Sequence, residues 1–132
     1  LSAAIYSNPV LTMSINICRP LIAAAGLVGA IGVATAAYAS HGGNEMLGIA
    51  ANFLLFHAAA LVAIGILPGR PLRVSGGVIF VGVALFAGDL AMAALQGHSL
   101  FPFAAPTGGT LMILGWLGLS VATVLRRTPA AS

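Results

Sequence analysis

The chain has 132 residues, of which 60% are hydrophobic and 5% charged, with five basic and two acidic residues and a net charge of +3. A soluble domain carries roughly 25% charged residues, and one of this size with so few would present an aggregating apolar surface to water. The pI near 10 rests on arginines scattered singly or in pairs, without the basic stripe and interleaved aromatics of a nucleic-acid binder, so a membrane protein remains.

The predicted elements follow in chain order. Residues 1–20 form an N-terminal segment that carries no charge before Arg19 and shows no clear period. Met13 offers an alternative start, and the segment is expected to lie against a partner surface, since such a tail would otherwise fray. Four apolar runs then follow at 21–40, 47–67, 74–96 and 107–125. Each is close to the ~20 residues that span about 30 Å of hydrocarbon at 1.5 Å per residue. The breaks carry turn residues: His41-Gly42-Gly43-Asn44, Pro68-Gly69-Arg70-Pro71, and Gly97-His98 with Pro102 and Pro106. The expected architecture is an all-α four-helix antiparallel bundle over residues 21–127, with short connections and a C-terminal tail at 128–132. The first run ends in Ala37-Tyr38-Ala39, which resembles a signal-peptide cleavage site. It is longer than the 7–15 residues typical of a signal core, and a retained helix is the preferred reading.

Charge supplies an independent check on the count of spans. Arg19 precedes the first, Arg70 and Arg73 separate the second and third, and Arg126 and Arg127 follow the fourth. With four spans all five fall on one side, which the positive-inside rule assigns to the cytoplasm, together with both termini. A bacterial inner (cytoplasmic) membrane is the expected location.

Small residues supply the packing. Gly26, Gly29 and Gly32 in the first span, and Gly48, Gly65, Gly76, Gly77, Gly82, Gly88, Gly108, Gly109, Gly115 and Gly118 in the others, let helix backbones approach where lipid removes the hydrophobic drive between them. They are read as the internal core in preference to a stripe for another subunit. Phe80, Phe86, Phe101, Phe103 and Trp116 are read as packing or lipid-facing residues, with Phe101 and Phe103 in the outer loop, where aromatics favour the interface.

Chemistry can reside only in the polar residues within or beside the spans: His41, Glu45, Asn52, His57, Asp89 and Thr107. Counting at 1.5 Å per residue, Asn52 lies about 7 Å, Asp89 about 10 Å and His57 about 15 Å below the arginine-free surface. A charged carboxylate facing lipid is costly, so Asp89 is expected to turn inward and pair with His57 or Asn52. As a functional cluster, Asn52, His57 and Asp89 would relay protons or hold a polar substrate or quinone head group. As a structural one, they would fix helix register with a hydrogen bond worth about 0.6–2 kcal/mol. The structural reading is preferred. Bis-histidine haem is rejected because His41 and His57 differ in depth by about 15 Å. His41 with Glu45 makes too few zinc ligands, and the single cysteine, Cys18, excludes an intrachain disulfide. No phosphate loop or Ser-His-Asp set is visible. No metal, catalytic residue or resident cofactor is therefore expected, bound lipid or quinone aside.

Several stretches resemble one family. Ala36-Ala37-Tyr38-Ala39-Ser40-His41-Gly42 is similar to the "GAFGAHG" signature of the small membrane proteins grouped as domain of unknown function 423, also described as transmembrane protein 256-like. Phe56-His57-Ala58-Ala59-Ala60-Leu61 resembles "YHALAL", Leu85-Phe86-Ala87-Gly88-Asp89-Leu90 resembles "LFSGSLY", Ala105-Pro106-Thr107-Gly108-Gly109 resembles "TPIGG", and Gly115-Trp116 a closing "GW". The resemblance implies a four-helix inner-membrane bundle without established catalytic activity, with His41, His57, Pro106, Gly108 and Gly109 as signature positions. The chain departs from it at Phe56, where tyrosine is usual, and at Asp89, where a small polar residue is usual. The expected function is a non-catalytic accessory or structural subunit of a larger bacterial membrane complex of respiratory or photosynthetic type, with lipids and other subunits as partners and no nucleic acid. The alternative is a small transporter or channel-like protein using the Asp89 and His57 pair. It differs from small multidrug transporters, whose first span carries an acid that is missing here.

Overall fold

The computed structural model describes residues 16–126. The segment expected against a partner, Met13, Arg127 and the tail at 128–132 lie outside the described residues, apart from Asn16 to Pro20. Four helices follow one another: α1 (Arg19–Gly42), α2 (Glu45–Ile66), α3 (Arg70–Gln96) and α4 (Ala104–Val124). Each is long and apolar enough to cross a membrane. In hydrocarbon a helix is the way a single segment satisfies its own backbone groups.

The helices begin two to four residues before the apolar runs. For α1 and α3 the cause is proline. Pro20 and Pro71 sit in the first turn of α1 and α3, where a missing N–H costs nothing, and Pro106 lies near the start of α4. Proline therefore opens these helices rather than ending the loops before them. α1 stops at Gly43, whose φ of +63° is the left-handed geometry glycine tolerates. The next residue, Asn44, caps α2 by accepting a hydrogen bond from the Leu47 N–H at 3.1 Å. α2 closes on Leu67 in extended conformation before Pro68.

Sequential helices pack as antiparallel neighbours. α1 lies most extensively on α2 and α3 on α4, α2 and α3 join the two pairs, and α1 only touches α3. α1 and α4 make no extended contact with each other. The two inner helices thus carry the core. Leu61, Leu72, Ile79 and Val83 are its largest fully buried side chains.

One end of the molecule is tied together at the arginines. The Cys18 N–H donates to the Gly65 carbonyl at 2.7 Å, fixing the start of α1 to the end of α2. Arg73 donates through Nη2 to the Asn16 carbonyl at 2.8 Å, while its buried Nε has no partner among the described residues. The guanidinium of Arg126 lies over Gly69, whose φ of +124° and lack of a side chain both serve the α2–α3 turn. Arg19, Arg70, Arg73 and Arg126 therefore all sit at the same end of the four helices.

The glycines divide into two sets. A Cβ on Gly82 would meet the Met112 N and Gly108 O at 2.7 and 2.8 Å, and one on Gly108 would meet the Gly82 O and Phe86 N at 2.6 Å. Gly115 lies equally close to Ile79, so α3 and α4 cross at backbone contact. Gly26, Gly48, Gly77 and Gly109 face open space. The small residues thus build internal crossings at some positions and nothing at others.

Candidate functional site

His41, Glu45, Asn52, Asp89 and Thr107 lie in the half of the molecule away from the arginines and His57 near its middle, on different faces. Ser75, Ile79, Gly82, Phe86 and Asp89 recur every three or four residues along α3, which places them on one stripe. Contacts at Gly108, Gly115 and Gly118 show that this stripe faces α4. Asp89, 6% exposed, continues it past the crossing and meets the loop that leads into α4. Its Oδ1 accepts a hydrogen bond from the Leu100 N–H at 2.7 Å. Leu100 also reaches back over α3, with its Cδ1 3.4 Å from where a Cβ on Gly88 would lie. The expected pairing of Asp89 with His57 or Asn52 is therefore corrected. The carboxylate holds a backbone amide of the α3–α4 connection, because its helix face points toward α4 and not toward α2.

His57 turns to another neighbour. Its Nδ1 lies 2.8 Å from the Phe53 carbonyl one turn earlier, a distance that assigns the proton to Nδ1 and leaves Nε2 as an acceptor. The Trp116 Nε1–H of α4 points to that nitrogen at 3.4 Å, a long bond. The ring stacks on Phe53 at 5.9 Å between centroids and meets Trp116 edge-on at 6.2 Å, while Phe53 packs on Phe86 at 4.5 Å. His57 is thus the polar member of an aromatic cluster joining α2, α3 and α4. Sequence reasoning set Phe86 and Trp116 aside as packing and missed their link to His57; the matching positions of histidine and tryptophan on neighbouring faces carried no visible signal.

Asn52 is exposed. It borders a shallow groove of ≈ 370 Å³ with Ala36, Ala39 and Ser40 of α1 and with Glu45. Asn52 and His57 are five residues apart, about 140° around a helix, so sharing α2 does not bring them to one face. No hydrogen bond joins any two of Asn52, His57 and Asp89. His41 is exposed in the last turn of α1, and Glu45 is exposed in the first turn of α2. Among the described residues no group of three or more His, Cys, Asp or Glu side chains is placed to hold a metal.

Of the family-signature positions, Gly108 packs at the α3–α4 crossing and His57 in the aromatic cluster. Pro106 and Thr107 occupy the exposed first turn of α4, and the Thr107 N–H donates to the Phe103 carbonyl at 2.9 Å. Phe103 is 78% exposed with φ of +68°.

These features define a helical membrane protein of four apolar helices, in which Asp89 and His57 are each bonded to a neighbouring group. A family model described as protein of unknown function (DUF423) matches residues 26–109. A UPF0382 membrane protein of Staphylococcus haemolyticus is 30% identical over 102 residues, covering 69% of this chain and 84% of the relative. Another, from Schizosaccharomyces pombe, is 31% identical over 113 residues, covering 74% and 95%. One from Haemophilus influenzae is 29% identical over 99 residues, covering 67% and 80%. The chain belongs to the DUF423 family, as its motifs implied. No solved structure matches it.

Proposed function

We propose that this protein is a non-catalytic accessory or structural subunit of a larger membrane complex, of respiratory or photosynthetic type, in a bacterial inner membrane. The observation that carries this reading is the local satisfaction of the polar groups. Asp89 is bonded to Leu100 and His57 to Phe53 and Trp116. The interior between them is filled by Val28, Ala50, Leu54, Val83 and Met112. A transporter needs polar groups converging on a water-filled path, and these diverge onto separate faces. Among the described residues, the short connections leave little outside the hydrocarbon, which turns recognition toward the lipid-facing sides. Between α1 and α3, Leu27, Ile31, Ala84, Gly88 and Ala91 line a recess of ≈ 260 Å³, a size suited to side chains of a neighbouring helix. The clustering of Arg19, Arg70, Arg73 and Arg126 supports an orientation with that end in the cytoplasm.

The test is extraction of native membranes in mild detergent, followed by native electrophoresis and identification of co-migrating proteins. A stable stoichiometric complex is expected, unchanged in composition by Asp89→Asn. A lone monomer or homodimer that supports ion-dependent flux in vesicles would replace this reading with transport.

A further inference from the structure

At the arginine-bearing end α3 and α4 draw apart. Their crossing is tight as far as Gly118, where an added Cβ would lie 3.0 Å from the Ser75 Oγ. Beyond it, a groove of ≈ 740 Å³ opens between the helices, lined by Pro71, Val74 and Ser75 on one side and by Gly118, Val121, Ala122 and Leu125 on the other, with Arg70 and Arg126 at its mouth. Val74, Val121 and Leu125 are exposed, so the groove opens sideways toward the acyl chains. From Arg70 to Ser75 is about 7.5 Å along the axis and from Arg126 to Gly118 about 12 Å. A cationic rim thus lies above an apolar trough about as deep as the glycerol region and upper acyl chain of one leaflet.

Charge selects the occupant. The chain's two acidic side chains, Glu45 and Asp89, lie toward the opposite end, so no acidic side chain neutralises the rim. A guanidinium binds phosphate through paired N–H donors, and basic pockets between transmembrane helices suit anionic headgroups. A zwitterionic lipid would bring an ammonium that meets no acidic side chain here. We propose that the α3–α4 groove binds one anionic phospholipid, its phosphate held by Arg70 and Arg126 and an acyl chain laid along Val74, Val121 and Ala122. This proposal is independent of the subunit assignment above.

The test is native mass spectrometry of the delipidated full-length chain in detergent, titrated with phosphatidylglycerol and with phosphatidylcholine of matched chains. One phosphatidylglycerol per chain is expected, in preference to phosphatidylcholine. Its affinity should fall roughly thirtyfold in Arg70→Gln/Arg126→Gln, by the known effect of two basic residues near an anionic surface, and stay unchanged in Arg19→Gln, which removes a charge at the same end but outside the groove. Because Arg126 also covers Gly69, a second variant, Ala122→Phe, fills the trough while keeping both arginines, and it too should weaken binding. Equal binding of the two lipids, equal loss in Arg19→Gln, or full binding by Ala122→Phe would overturn the proposal. Displacement by millimolar inorganic phosphate would overturn the lipid assignment in favour of a free anion.

Discussion

A buried carboxyl group with one backbone amide as its partner makes Asp89 sensitive to some replacements and indifferent to others. Asparagine keeps an oxygen where Oδ1 lies, so Asp89→Asn should change stability by less than about 1 kcal/mol. Leucine fills the space but leaves the Leu100 N–H unmet, at about 1–3 kcal/mol. Unfolding of the purified variants in mixed micelles checks both; equal loss in the two would mean that charge, and not the acceptor, matters at this position. The depth of Asp89 was legible in the sequence, since it follows from counting along a helix. Its partner was not, because depth says nothing about azimuth. The stripe through Gly82 and Phe86 holds that information, and it becomes readable only once α4 is known to lie against it. The left-handed backbone at Phe103 was likewise invisible, since such geometry in a bulky residue is set by its surroundings.

Among the elements, the α3–α4 crossing is the most exacting contact, and two adjacent glycines probe it. A methyl group at Gly108 has to displace the α3 backbone at Gly82 and Phe86. Gly108→Ala should therefore cost about 1–3 kcal/mol, as overpacking does. Gly109 faces open space, and Gly109→Ala should be neutral or stabilising by up to about 1 kcal/mol through helix propensity. Thermal unfolding in detergent would distinguish them, and similar losses in both would contradict the geometry. That glycines hold these helices together was legible from composition alone. Which ones do so was not, since a glycine carries no mark of the face it occupies. Helix ends were legible to within a few residues, the error arising where Pro20 and Pro71 open helices and where α2 and α4 start at the polar or small residues before their apolar runs.

For the molecule as a whole, hydropathy and arginine placement fixed the number of spans in advance because both obey the same constraint, the bilayer. The orientation drawn from them is testable. Green fluorescent protein fused after the C-terminus should fluoresce, alkaline phosphatase at the same position should be inactive, and both results should reverse for fusions in the α3–α4 loop. The opposite pattern would invert the orientation, while leaving the bundle intact. The lack of an extended contact between α1 and α4 had no counterpart in the sequence, which reports which helices are consecutive but not how a ring of four closes.

That same uneven packing has a consequence for biosynthesis. Since α1 finds its main neighbour in α2, and α4 in α3, the chain is laid out as two hairpins hinged at Pro68-Gly69. The leading hairpin can complete its internal contacts while the trailing one is still being synthesised, and the contacts between the hairpins, chiefly those of α2 with α3, form afterwards.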